Sequence, residues 1–299
     1  MVRKVIRRGI VAFLSAVILI SVAACGLELS DVIGPTVKIG IAFDRPGLST
    51  YRNGAMRGFS GTVARAVAFD LGYSSRQIEW VDVNDSTQDD LFATGKIDML
   101  VGASMYSQKY TNGRSTEFAG PFMKSHMGLM TRGGTEDDKG SDVRELQNST
   151  QLTQVQDKSV CVVKGELQDD FTPQQLVTFE STAKQMFVQD SYSQCLSALA
   201  TATVDVIVGN VVALEQLTHA ATGQKFSVTE IKDSTISYGI VVPAGDDRLH
   251  AKIQNQLRDF ALSKRWEKAF RPIARKSSLP YVRAMKAPYV EQIILDPAQ

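Results

Sequence analysis

Few residues in this chain could do chemistry, and those few are not arranged to break bonds. Arg114 stands in "YTNGRSTEFAGPF", between an Asn-Gly turn signal and an aromatic-Gly-Pro run. A guanidinium there could clamp an anionic group, lie solvated on the turn, or pair locally with Glu117. The stretch alone leaves all three open. His126, His219 and His250 are scattered without metal-ligand spacing, so no metal site is expected. No serine or cysteine is patterned with histidine and acid as a nucleophile would be. The chemistry on offer is recognition of charge, with neither catalysis nor a cofactor expected.

The N-terminus indicates where that recognition would happen. "MVRKVIRRG" is basic, "IVAFLSAVILIS" is an apolar run of twelve, and "VAAC" places small residues before a cysteine. A membrane-spanning helix needs about 20 apolar residues, so the three parts read instead as an export signal over residues 1–24. "VAAC" also resembles the lipobox of bacterial lipoproteins. That likeness implies a lipid on Cys25 and a tether over 25–35; an ordinary signal peptide with a chance cysteine is the alternative. Residues 1–24 hold four basic residues and no acid, so the remainder falls from a net charge of +1 to −3. Such a chain lacks the basic excess of nucleic-acid binders, which argues against nucleic acid as a partner. Cys161 and Cys195 remain. In an exported chain they are expected to bridge, two buried thiols being the other possibility.

These residues must be positioned by a scaffold, and the periodicity supplies one. "VKIGIAF", "IEWVDV" and "IDMLVGASM" read as strands. Between them, Phe59, Val63, Val67 and Leu71 make one helical face with Ala66 between, stopped by Gly72. "STQDDLFATG" reads as a short helix with Ser86 as its N-cap and Gly95 at its end. "DRPGLSTYRNGAMRG" is turn-rich. After a polar stretch over 132–158 the pattern repeats: strands in "SVCVVKG", "AKQMFVQD" and "VDVIVGN", and helices in "LQDDFTPQQL" and "YSQCLSALATA". A last strand, "SYGIVVPA", precedes one helical pattern, "RLHAKIQNQLRDFALSKRWEKAF", whose Leu249, Ile253, Leu257 and Phe260 face a core. Two α/β units follow from this, with a cleft between them as the expected ligand site.

"IGIAFDRPGL", "GFSGTVARAVAFDLGY", "LFATGKIDMLVGASMYS", "FAGPF", "SVCVVKG", "YSQCLSAL", "VDVIVGN" and "SYGIVVPAGDDRL" occur in an order and spacing that resembles the family 3 solute-binding proteins of amino-acid ABC importers. The likeness runs from about Val37 to about Arg271 and is strongest to the lipoprotein glutamate-binding type. It implies the type II periplasmic-binding-protein fold: two lobes, two crossover strands and closure on a small polar solute. Lobe one would take 36–123 plus 238–299 and lobe two 124–237. It further implies a monomer, tethered at the outer face of the cell membrane beside an ABC permease. The subgroup also carries a cysteine pair where Cys161 and Cys195 stand.

Against this family the pocket positions depart. Relatives hold the α-carboxylate with the Arg of a "TYSITxERxxxVDFAGPY"-like run. An ungapped match puts Asn112 in that slot, with Met105, Ser107, Gln108 and Lys109 around it. The Asp of a "VDAVTTDD"-like run, which pairs the α-ammonium, is matched by Asn210. The anion-cradling "GT" or "GS" becomes Gly165-Glu166. Losing one partner of a buried charge pair costs about 2–5 kcal/mol, so an ordinary α-amino acid is not the expected ligand. Arg114 could swing back to replace the clamp. Arg45, beside Asp44 in the turn that lines the relatives' pocket, is a rival for that role or else a rim charge. Glu166 would either repel anions and attract a cation, or turn to solvent. A sensor lipoprotein reporting to a membrane signalling partner is the alternative function. An enzyme with Glu166 as general acid/base is a remote one.

Overall fold

The computed structural model describes residues 35–84, 87–104, 116–133, 155–166, 173–221 and 223–288. The export signal, Cys25, nearly all of the tether, Ser86, Met105, Ser107, Asn112 and Arg114 lie outside the described residues.

β1 (Val37–Ile41) is an apolar, mostly β-branched run, and four of its five residues are buried. A strand covered on both faces belongs in the middle of a parallel sheet. It lies between β5 (Ile78–Asp82) and β6 (Met99–Ser104), parallel to both. A second parallel group holds β10 (Val206–Asn210), β8 (Ser159–Val163) and β9 (Gln185–Gln189). Two long antiparallel strands, β7 (Thr116–Arg132) and β11 (Phe226–Pro243), join the groups into one sheet of order β5-β1-β6-β11-β7-β10-β8-β9. At about 3.3 Å per residue each is long enough to serve both halves. β11 meets β6 through Tyr238–Val241, and β7 meets β10 through Met127–Thr131. They are the two crossover strands of the expected fold. Only "SYGIVVPA" and "FAGPF" were legible within them, because their middles carry Lys124, Ser125 and His126 rather than an apolar run. Their ladder breaks register between Ile231 and Thr235. There Met127 N donates to Ser234 Oγ at 2.9 Å, so a side chain replaces the missing ladder acceptor.

Helix α1 (Phe59–Asp70) buries Phe59, Val63 and Val67 as its spacing predicts. Ala64 and Ala68 share that face; Ala66 and Leu71 are only half-buried. Gly72, at φ 102, closes the helix. In α2 (Gln88–Ala93) the N-cap position is Thr87, whose Oγ1 accepts from Asn84 N at 3.1 Å. The second half supplies α3 (Pro173–Thr182), α4 (Tyr192–Ala200) and α5 (Val211–Thr218), the last unread in the sequence because it is short and mostly apolar. The terminal helical pattern is two helices, α6 (Asp247–Leu262) and α7 (Arg265–Lys276), followed by α8 (Pro280–Ala284). Lys264, at φ 59, makes the corner. α6 packs on β7 and α1, returning the chain to the first half. Phe59 meets Trp266 and Phe270 edge-on at 5.3 and 5.2 Å.

Three ties hold the second half, two of them reaching it from the C-terminal segment. Cys161 and Cys195 form a disulfide between β8 and α4. Behind the sheet, Ser278 N and Oγ donate to Glu215 of α5 at 3.1 and 2.5 Å. Tyr281 stacks on His126 at 4.1 Å.

Candidate functional site

The turn-rich stretch after β1 is a small sheet of its own: β2 (Asp44–Arg45), β3 (Ser49–Arg52) and β4 (Ala55–Arg57). Asn53 and Gly54 both have positive φ, 53° and 75°, the signature of a tight hairpin turn. This sheet holds Asp44 and Arg45 against the carboxyl ends of β1 and β6. Opposite them, "KGE" turns after β8, and Gly165 takes φ 87 to do so. A cavity of about 240 Å³ lies between. Ligands of α/β proteins enter at such strand ends.

An ion pair crosses this cavity. Arg45 Nε donates to Glu166 Oε1 at 2.8 Å, with side chains 15% and 4% exposed. Arg45 Nη1 also donates to Gly102 O at 2.9 Å, and its guanidinium stands 5.9 Å over the Tyr238 ring. Glu166 Oε2 accepts from Tyr192 Oη at 2.5 Å. Tyr192 is fully buried at the first position of α4, and its hydroxyl accepts from Asn210 N at 3.2 Å. Gly209 makes room for it: a Cβ there would stand 2.6 Å from that hydroxyl. Burial, and then the Glu166 carboxylate beside it, push the Tyr192 phenol well above its ordinary value, Arg45 opposing.

Among the described residues, the rest of the lining is short of positive charge. Asp44 Oδ2 is buried with no hydrogen-bond partner among the described residues. Asp82 also lines the cavity, and its carboxyl is raised above the usual range by burial, with Asp44 adding to the shift and the Phe43 and Val83 amides opposing it. Asp190 and Lys164 complete the charged lining.

The structure thus brings Asp44, Arg45, Gly165 and Glu166 to one cavity. Arg45 is no rim charge and Glu166 does not turn to solvent. Asn210 is buried but is not part of the lining. Its Oδ1 caps α5 by accepting from Val212 N at 2.9 Å, and its Nδ2 donates to Tyr238 Oη at 2.9 Å. An amide does both jobs at once; an acid could only accept. Tyr192 and Tyr238 were missed. Each sits inside an apolar pattern that reads as core, and only Gly209 hinted that something large passes close by. Among the described residues no group of metal-ligating side chains gathers, and no helix is long and apolar enough to cross a membrane.

Similar proteins agree with this architecture. The glutamate-binding protein GluB of Corynebacterium glutamicum is 27% identical over 216 residues, covering 69% of this chain and 68% of that protein. GluB of Corynebacterium efficiens is 26% identical over 260 residues, covering 80% and 82%. A solved structure described as an ancestral arginine-binding protein bound to glutamine superposes with a TM-score of 0.64 at 18% identity, covering 80% of this chain and 97% of its own. The family model matches residues 37–272, the whole span that builds both halves of the sheet and the cavity between them, and the chain therefore belongs to the bacterial extracellular solute-binding proteins, family 3.

Proposed function

We propose that this protein is the lipid-anchored solute-binding component of an amino-acid-type ABC importer, and that its cargo is not an ordinary α-amino acid. The observation that carries the second part is the Arg45–Glu166 pair. The cleft's guanidinium is answered by the cleft's own carboxylate, so a zwitterion entering here would compete with an ion pair already made. A zwitterion gives up hydration at both ends on entering a cleft, and each end then needs a partner. Family membership supports the importer role, since these are extracellular solute-binding proteins. The lobe division at 123/124 and 237/238 falls within β7 and β11, the strands that serve both halves. Hinged closure about those strands would present the loaded form to a permease. The likeness of "VAAC" to a lipobox supports an anchor at Cys25 and a position on the outer face of the membrane. Calorimetry or thermal shift against the twenty amino acids tests the reading. No low-micromolar binding is expected, and such binding of glutamate or glutamine overturns it.

A further inference from the structure

The geometry points to Glu166 as the specificity-determining residue of the cleft. It occupies, on Arg45, the place a ligand carboxylate would otherwise take, and thereby excludes carboxylate-bearing solutes. This inference rests on the reading of the cleft as a solute pocket.

Three observations carry it. The first is position: Arg45 and Glu166 come from opposite walls of the cavity and meet at 2.8 Å with almost no exposure. A carboxylate on a guanidinium Nε at that distance is what a bound acid would look like, except that this one belongs to the chain. The second is support. Glu166 is not a loose surface residue that strayed inward, because Tyr192 holds its other oxygen at 2.5 Å from within the core. Tyr192 is in turn braced by Asn210 N, and the Cys161–Cys195 bridge ties its helix to the strand that leads into the turn carrying Glu166. The third is what remains once the pair is discounted. Among the described residues of the lining, Asp44, Asp82 and Asp190 face Lys164, an excess of negative charge that repels anions. The solute end admitted here is cationic or uncharged.

The test asks whether removing the resident carboxylate creates an anion site. The probes are acetate and succinate, which lack the ammonium of an amino acid, titrated by calorimetry into the full mature chain. Glu166→Ser is expected to bind succinate at least tenfold more tightly than the unchanged protein, with Glu166→Gln intermediate. Glu166→Asp, which keeps the charge, is expected to show no gain. Adding Arg45→Met to Glu166→Ser should abolish the gain, since the new site is Arg45. Circular dichroism checks that each variant is folded. No gain in a folded Glu166→Ser overturns the inference. A gain that survives Arg45→Met overturns it equally, as does an unchanged protein that binds succinate as tightly as Glu166→Ser. Tight binding of an amino acid by the unchanged protein is a separate result. It overturns the cargo reading above and leaves the carboxylate titration to be judged by its own outcome.

Discussion

Glu166 and Glu215 are both glutamates of the second half, and each is 3% exposed. Their partners differ in kind. Glu215 receives the backbone N–H and hydroxyl of Ser278, from the C-terminal segment behind the sheet. Glu166 receives a guanidinium across the cavity and a phenol from the core. A backbone amide at the rear cannot be exchanged for anything that diffuses in, so the rear contact is structural. A side-chain ion pair at the front can be traded for a ligand or for water, so the front contact can govern binding. The two carboxylates carry similar burial and opposite meanings.

The largest expected effect bears on what holds the front contact in place. β8 leads into the turn carrying Glu166, and α4 begins at Tyr192, so the disulfide sets the spacing of that hydrogen bond. Replacing Cys161 and Cys195 with serine should cost about 4 kcal/mol by the loop-entropy model, measured by urea unfolding. A loss below about 1 kcal/mol would mean that packing alone holds the spacing, against that same model. The next effect tests the comparison itself. Glu215→Ala should cost about 3 kcal/mol, because it strips two donors of a charged acceptor in a buried place. Glu166→Ala should cost less than the 3–5 kcal/mol or so typical of a stranded buried charge. If the halves part, water reaches Arg45. Equal losses at the two glutamates would erase the distinction drawn between them.

The smallest effect concerns Tyr192. Tyr192→Phe should cost about 2 kcal/mol at neutral pH through two lost hydrogen bonds, the one donated to Glu166 and the one accepted from Asn210 N. Its pH dependence is more telling. The folded phenol titrates above the ordinary 10.0, so above that value the unfolded chain sheds a proton the folded chain keeps. The stability contributed is whole below the unfolded value and is lost as pH rises from there through the folded value. Unfolding free energies from pH 8 upward should therefore decline less in Tyr192→Phe than in the unchanged chain. An identical alkaline decline would assign it to another group.

Much of the fold could be read from residue order. "VKIGIAF", "SVCVVKG" and "VDVIVGN" are buried strands because continuous β-branched runs have few other places to go. Glycines at 72 and 95 end helices because they tolerate positive φ. The hairpin sheet at 44–57 was hidden by its turn residues, and α5 by its short, mostly apolar sequence. At the site, Asp44, Arg45, Gly165 and Glu166 were legible as pocket residues by family likeness, whereas Asn210 was legible only as a missing acid. The hydrogen bond that its Nδ2 donates joins it to Tyr238, which is close in space and 28 residues away in sequence.

By itself the sequence determined most strands and most helices, because those follow from residue type and local spacing. Only the tertiary structure decided that Arg45 and Glu166 answer each other. They stand 121 residues apart, and an attraction between two charges acts on distance in space, which chain position does not reveal until both lobes are folded.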